Sequence, residues 1–136
     1  MFIEINELKT VMPRPVVDII TNTDEDTVNK IIRESIKSVS NYLYQFYDVT
    51  LIFSATGEDR DDDILKHLKI IIKYALYGIR DGITERLEKD YNESLRWLEK
   101  VSEGKIRPDL PMQTTDDGRD GSFLKTGSRP KYSTGW

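Results

Sequence analysis

Apolar residues in this chain recur at helical spacing in three long stretches and lose that rhythm between them. The first stripe runs Val28, Ile31, Ile32, Ile36, Val39, Leu43 and Phe46, the i, i+3, i+4 pattern of one helix face turned to a core. Thr23 is placed to cap its start, with Asp26 three residues on and acidic side chains suited to the positive end of the helix dipole. The spacing predicts that this helix ends near Tyr47–Asp48. A second stripe, Ile64, Leu65, Leu68, Ile71, Ile72, Ala75, Leu76 and Ile79, predicts a helix over 62–79. Ile70, Tyr74 and Tyr77 add apolar surface around its circumference, which predicts the central position in a bundle. Asp81–Gly82 supplies its stop. The third stripe, Leu87, Tyr91, Leu95, Leu98 and Val101, predicts a helix from about Thr84 to Glu103, with Trp97 beside the stripe and Gly104 as its terminator.

The remaining segments are shorter. Ile5, Leu8 and Val11 keep helical spacing over one or two turns before Pro13 and Pro15 interrupt. Val16, Val17, Ile19 and Ile20 then read either as a helix turn begun by Pro15 at its first position or as a strand, and helix is the preferred reading. Residues 48–57 are apolar and β-branched (Val49, Thr50, Leu51, Ile52, Phe53) and are expected to form a packed loop or a short extended piece. Residues 56–63 read as a polar loop leading into the next helix. From Lys105 the periodicity disappears. Residues 114–122 are turn-rich and polar, and 126–136 contain Gly, Ser and Pro and end on Trp136. Such a segment cannot bury enough apolar surface to fold alone, so it is either disordered or an arm that orders on a partner. The organisation expected is one all-α domain: a bundle of three main helices with short N-terminal helical turns over 1–104, and an extended or flexible C-terminal arm over 105–136.

Composition narrows the chemistry. The 136 residues fit one domain. A net charge of −4 and a pI near 5.1 argue against DNA binding over the whole surface, which needs excess Lys and Arg. This sequence has no cysteine, which excludes disulfides, Cys-ligated zinc and thiol catalysis. Residues 1–7 lack the basic start and apolar run of a signal peptide. No apolar run approaches the roughly 20 residues needed to span a bilayer. A cytoplasmic protein without membrane contact is expected.

Asp59, Asp61 and Asp63 have the spacing that opens an EF-hand loop, but Ile64 stands where its glycine belongs and Ile70 where its bidentate Glu belongs. Solvated acids at a helix start explain the cluster better. Asp116 and Asp120–Gly121 fail the same pattern at Gly127 and read as a turn. His67, the single histidine, has Asp63 four residues before it, and two ligands do not make a zinc centre. No serine nucleophile motif and no Gly-rich phosphate loop is present. No enzyme, cofactor or metal is therefore expected. The aromatics Tyr42, Tyr44, Phe46, Tyr47, Tyr74, Tyr77, Tyr91 and Trp97 lie on or beside helical core faces, with few basic residues among them. They read as core and subunit-interface residues rather than as a stacking platform for nucleic acid. Tyr44, Tyr47, Tyr77 and Trp97 are the body's candidate partner-binding residues. Arg129, Lys131, Tyr132 and Trp136 join them from the arm, where charge and aromatic anchors combine as in docking segments.

Several of these pieces, taken in order, carry a resemblance over residues 2–111. Ile3, Glu7 and Leu8 form an Ile-x-x-x-Glu-Leu opening. A long helix closes on Tyr42-Leu43-x-x-x-Tyr47-Asp48, and a central one carries Tyr74-x-Leu76-Tyr77. A last helix bears Tyr91-x-x-x-Leu95-x-Trp97-Leu98, then Val101-x-x-Gly104-Lys105. The chain resembles the head–tail connector, or head-completion adaptor, proteins of Mu-like prophages. Gly127-Ser128-x-Pro130-Lys131 is similar to the C-terminal arm of variants carried by prophages of gut anaerobes. The resemblance implies an all-α bundle that assembles into a homo-oligomeric ring, commonly about twelve-fold, beneath the portal protein. It also implies a neck or tail-completion protein as the next partner, DNA that passes through without specific binding, and a location in the virion neck after assembly in the host cytoplasm. It brings no catalytic residues. The acidic loop and the long tail depart from the family's usual pattern. Asp59, Asp61, Asp62 and Asp63 are expected to face the DNA channel. Two rival classes are a helical-bundle nucleic-acid-binding regulator, which predicts steeply salt-dependent DNA affinity, and a small metal-dependent enzyme around Asp59–His67, which predicts folding sensitive to chelators.

Overall fold

The computed structural model describes residues 1–80 and 82–114. Six α-helices follow one another: α1 Ile5–Val11, α2 Arg14–Thr21, α3 Glu25–Leu43, α4 Val49–Ser54, α5 Asp62–Ile79 and α6 Glu85–Ser102, with a short 3₁₀ turn at Gly57–Asp59. The protein is all-α, as its periodicity predicts. The three long helices α3, α5 and α6 pack on one another, α2 packs on α5, and α1 on α2. The central place of α5 follows from its breadth of apolar surface. It buries Ile64, His67, Leu68, Ile71, Ile72 and Leu76, where α3 buries Val28, Ile32, Ser35, Val39 and Leu43 and α6 buries Leu87, Ser94, Leu98 and Val101.

Local chemistry sets the helix ends. Asp24 rather than Thr23 caps α3, accepting the Thr27 N–H, because the Thr23 hydroxyl is turned back to the Ile19 carbonyl at 2.6 Å and closes α2 instead. Arg14 holds the first position of α2 and Pro15 the second, where its missing N–H leaves no intrahelical bond unmade. Asp61 caps α5 through the Ile64 N–H at 2.9 Å, and Thr84 caps α6 through the Leu87 N–H at 3.1 Å. At its far end α5 stops where the Tyr77 carbonyl receives the N–H groups of both Arg80 and Gly82.

Two expectations are corrected. The helix of the first long stripe, α3, stops at Leu43, four residues early, and Tyr44–Phe46 form a turn. The apolar run after it is the helix α4 and not a loop or an extended piece. Its β-branched residues hide a helical start: Asp48 accepts the Leu51 N–H at 3.1 Å, and Val49, Ile52 and Phe53 share one face turned to the core. A local cap and an i, i+3, i+4 face outweigh the strand preference of Val, Thr and Ile here.

Beyond α6 the chain turns back. The Lys105 N–H reaches the Lys100 carbonyl and the Gly104 N–H reaches that of Val101, with Gly104 at φ 81°. This is a Schellman ending, whose left-handed residue favours glycine. Ile106 and Leu110 then pack on the core, and Met112 pairs antiparallel with Tyr47. The first part of the C-terminal segment, through Thr114, thus bends back and packs on the body.

Candidate assembly surface

The turn between α3 and α4 and the returning segment 110–114 build one corner of the molecule. The Asp48 N–H donates to the Pro111 carbonyl at 2.8 Å, the Gln113 N–H to the Phe46 carbonyl at 2.9 Å, and the Gln113 side-chain amide to the Tyr44 carbonyl. These bonds hold large apolar side chains in water: Tyr44 and Met112 are each 59% exposed, Leu51 57% and Phe46 36%. Beside them lies a groove of about 160 Å³ with apolar walls (Leu51, Ile52, Ala55, Leu110, Pro111) and a rim of Asp59, Asp61 and Asp109. Large apolar side chains gathered on one surface mark a place that another surface covers.

The sequence-predicted partner residues are divided by the fold. Tyr44 stands in the exposed corner. Tyr47 is 3% exposed and belongs to the core cluster, so its ring is spent inside this chain, where burial pushes its phenol pKa up. Tyr77 is half-buried with the Lys73 ammonium 5.9 Å from its ring centre. Trp97 is half-buried and stacks on the imidazole of His67, ring centres 4.4 Å apart. Arg129, Lys131, Tyr132 and Trp136 lie outside the described residues. Of the acidic loop, Asp61 is occupied as the α5 cap, Asp62 and Asp63 stand in the first turn of α5, and Asp59 faces the groove. The Asp116–Gly121 turn also lies outside the described residues.

His67 is placed by α5 and held by α6. Its Nδ1 is 2.8 Å from the Ser94 hydroxyl, and both side chains are buried. Desolvation pushes its pKa below the ordinary value near 6.5, Lys66 adds to the shift, and Asp63 opposes it. The unfolded chain therefore binds this proton more readily than the folded one. Stability is expected to be full above about pH 6.5 and to fall as the pH drops below it, with a slope of at most about 1.4 kcal/mol per pH unit. Urea titrations between pH 7.5 and 5 check this, and His67→Gln is expected to flatten the profile. An equally steep profile in that variant refutes the assignment.

Arg60 and Glu7, which no spacing in the sequence connects, make the firmest polar contact in the fold. The guanidinium meets both Glu7 carboxylate oxygens at 2.7 Å, the Phe2 carbonyl at 3.0 Å and the Gly57 carbonyl at 2.8 Å. Among the described residues no three His, Cys, Asp or Glu side chains gather as a metal-binding group, and no helix is long and apolar enough to cross a membrane.

The fold and this corner define an all-α protein with four of its large exposed apolar side chains, Tyr44, Phe46, Leu51 and Met112, where α3, α4 and the C-terminal segment meet; Met1, Val11, Ile79 and Ile83 are exposed elsewhere. The chain belongs to the family described as Bacteriophage Mu, Gp36, which matches residues 2–125, and it is therefore a protein of Mu-like phages. No curated protein sequence and no solved structure matches it.

Proposed function

We propose that this phage protein is a structural component of the virion neck, a ring-forming adaptor between the head portal and the tail. The exposed corner of Tyr44, Phe46, Leu51 and Met112 carries this reading, because a phage-family protein with such a surface is suited to repeated contact with other protein copies. Each contact is small, and ring closure multiplies weak contacts through effective concentration. The reading has no catalytic step and no cofactor. The portal protein lies on one side of the ring and a neck or tail-completion protein on the other, with Asp59, Asp61, Asp62 and Asp63 toward the DNA channel. The basic, aromatic end of the arm reaches a neighbour.

The test is association of the full chain with the portal protein of the same phage, followed by analytical ultracentrifugation. Complex formation is expected. Tyr44→Asp combined with Leu51→Asp is expected to weaken it by roughly tenfold or more, because charge is introduced into a desolvated contact. Helix content and melting temperature stay unchanged, since both side chains are exposed. Absence of self-association and of portal binding, together with DNA binding that falls steeply with salt, makes the regulator reading the right one.

A further inference from the structure

Beside its core stripe, α3 carries a second row, Ser35, Ser38 and Tyr42, at i, i+3 and i+7 and so on one face. The serines are small where a core row is large, and this face does not close on its neighbours. Two adjoining hollows of about 200 and 320 Å³ result, sharing Ser38, Ile71 and Tyr91. Together they form one cleft, with α3 on one side and residues of α5 and α6 on the other. It follows α3 from Ile31 to Tyr42, roughly 16 Å. None of its lining residues borders the groove at Leu51.

The walls are aromatic. Tyr74 of α5 and Tyr91 of α6 stack with ring centres 3.8 Å apart and planes 9° apart, and Tyr42 lines the other hollow. Burial pushes the Tyr91 phenol pKa up, with Tyr74 and Tyr42 adding to it, so this phenol stays neutral. The polar groups between the rings lack partners. Of the two buried serines, Ser94 bonds His67 at 2.8 Å, whereas the Ser35 hydroxyl makes no hydrogen bond among the described residues. Ser35 is 5% exposed and lines the cleft. A buried hydroxyl without a partner is unusual and costs stability, which a bound group with a matching donor offsets.

Charge selects that group. Glu34 is the one charged residue lining the cleft among the described residues. An anion meets a carboxylate there and no cation. A cation that only donates meets a carboxylate, hydroxyl oxygens and aromatic faces. Arginine answers all three, with five N–H donors, no acceptor, and a flat guanidinium that stacks on aromatic rings. We infer that the cleft is a receptor for an arginine side chain presented by a partner protein, its guanidinium against the Tyr74–Tyr91 pair and hydrogen-bonded to Glu34 and Ser35. This contact is separate from the exposed corner, and it stands whether or not the protein joins a head to a tail.

The test is a titration of the isotope-labelled full chain with the peptide acetyl-Gly-Arg-Gly-amide, followed through the NMR signals of the Tyr74 and Tyr91 rings and the Ser35 amide. Saturable shifts with a Kd on the order of millimolar are expected, the strength that suits a ligand of this size. The same peptide with lysine is expected to bind about fivefold more weakly, since it lacks the plane. With citrulline, which keeps the shape and loses the charge, binding is expected to weaken about tenfold. Glu34 is exposed, so Glu34→Gln leaves the fold intact, and it is expected to weaken the arginine peptide roughly threefold. Absence of saturable shifts at these positions up to about 50 mM peptide overturns the proposal. So does equal affinity for either control peptide, or an affinity that Glu34→Gln does not change.

Discussion

Ile72→Ala is expected to lower the free energy of unfolding by about 2–5 kcal/mol, the range for truncating a large aliphatic side chain in a packed core. Ile72 has no exposed surface and sits on α5, the helix that packs on α2, α3 and α6. Removing its branch takes contacts from several elements at once. The cavity cannot collapse without moving one of the long helices, so the loss belongs in the upper half of that range. Chemical denaturation followed by circular dichroism reads it directly. A loss below about 1 kcal/mol, less than the transfer of the deleted carbons alone, contradicts the central placement of α5.

Arg60→Ala is expected to cost about 2–4 kcal/mol, through unmade hydrogen bonds rather than lost volume. The guanidinium ties the loop before α5 to the start of the chain: its fork holds Glu7 on α1, and the same group reaches the Phe2 carbonyl. Without it a partly buried carboxylate and the Phe2 carbonyl lose their donor, while the Gly57 carbonyl keeps only the backbone N–H of residue 60. Arg60→Lys is expected to recover only part of the loss, because one ammonium cannot reproduce a planar fork. The hydrogen bond from Arg60 holds Glu7 below the usual carboxylate range, while desolvation works against it. The contribution is therefore present above the unfolded value near 4.5 and is lost as pH falls through the lower folded value. Thermal melts at pH 7 and pH 3 test both halves: the gap between wild type and Arg60→Ala is expected to narrow in acid. A gap of equal size at both pH values refutes the ion pair as its source.

The long helices were legible because burial repeats along them. Ile64 through Leu76 and Leu87 through Val101 announce their faces without any tertiary information. The caps Asp61 and Thr84 lie where polar residues precede those faces. What escaped was set by contacts distant in sequence or by competition between neighbours. Thr23 and Asp24 are both competent caps, and only the approach of the Ile19 carbonyl decides between them. The strand-like composition of 49–53 conceals a helix whose one strong signal is Asp48. Tyr47 looked like a surface aromatic because its helix was drawn too long. Once the helix ends at Leu43, the turn carries Tyr47 inward and leaves Tyr44 outside. Arg60 and Glu7 are fifty-three positions apart and share no pattern. The exposed corner was half legible: Tyr44 stood among the candidates, whereas Leu51 and Met112 come together only because the segment after α6 doubles back.

That doubling back rests on the backbone of Gly104. One dihedral steers everything downstream of α6 across the opposite end of α3 instead of onward along the helix axis. The distance between Tyr44 and Met112 is consequently a matter of linker length: adding or deleting a residue between 104 and 110 shifts one half of the exposed surface against the other without touching a helix.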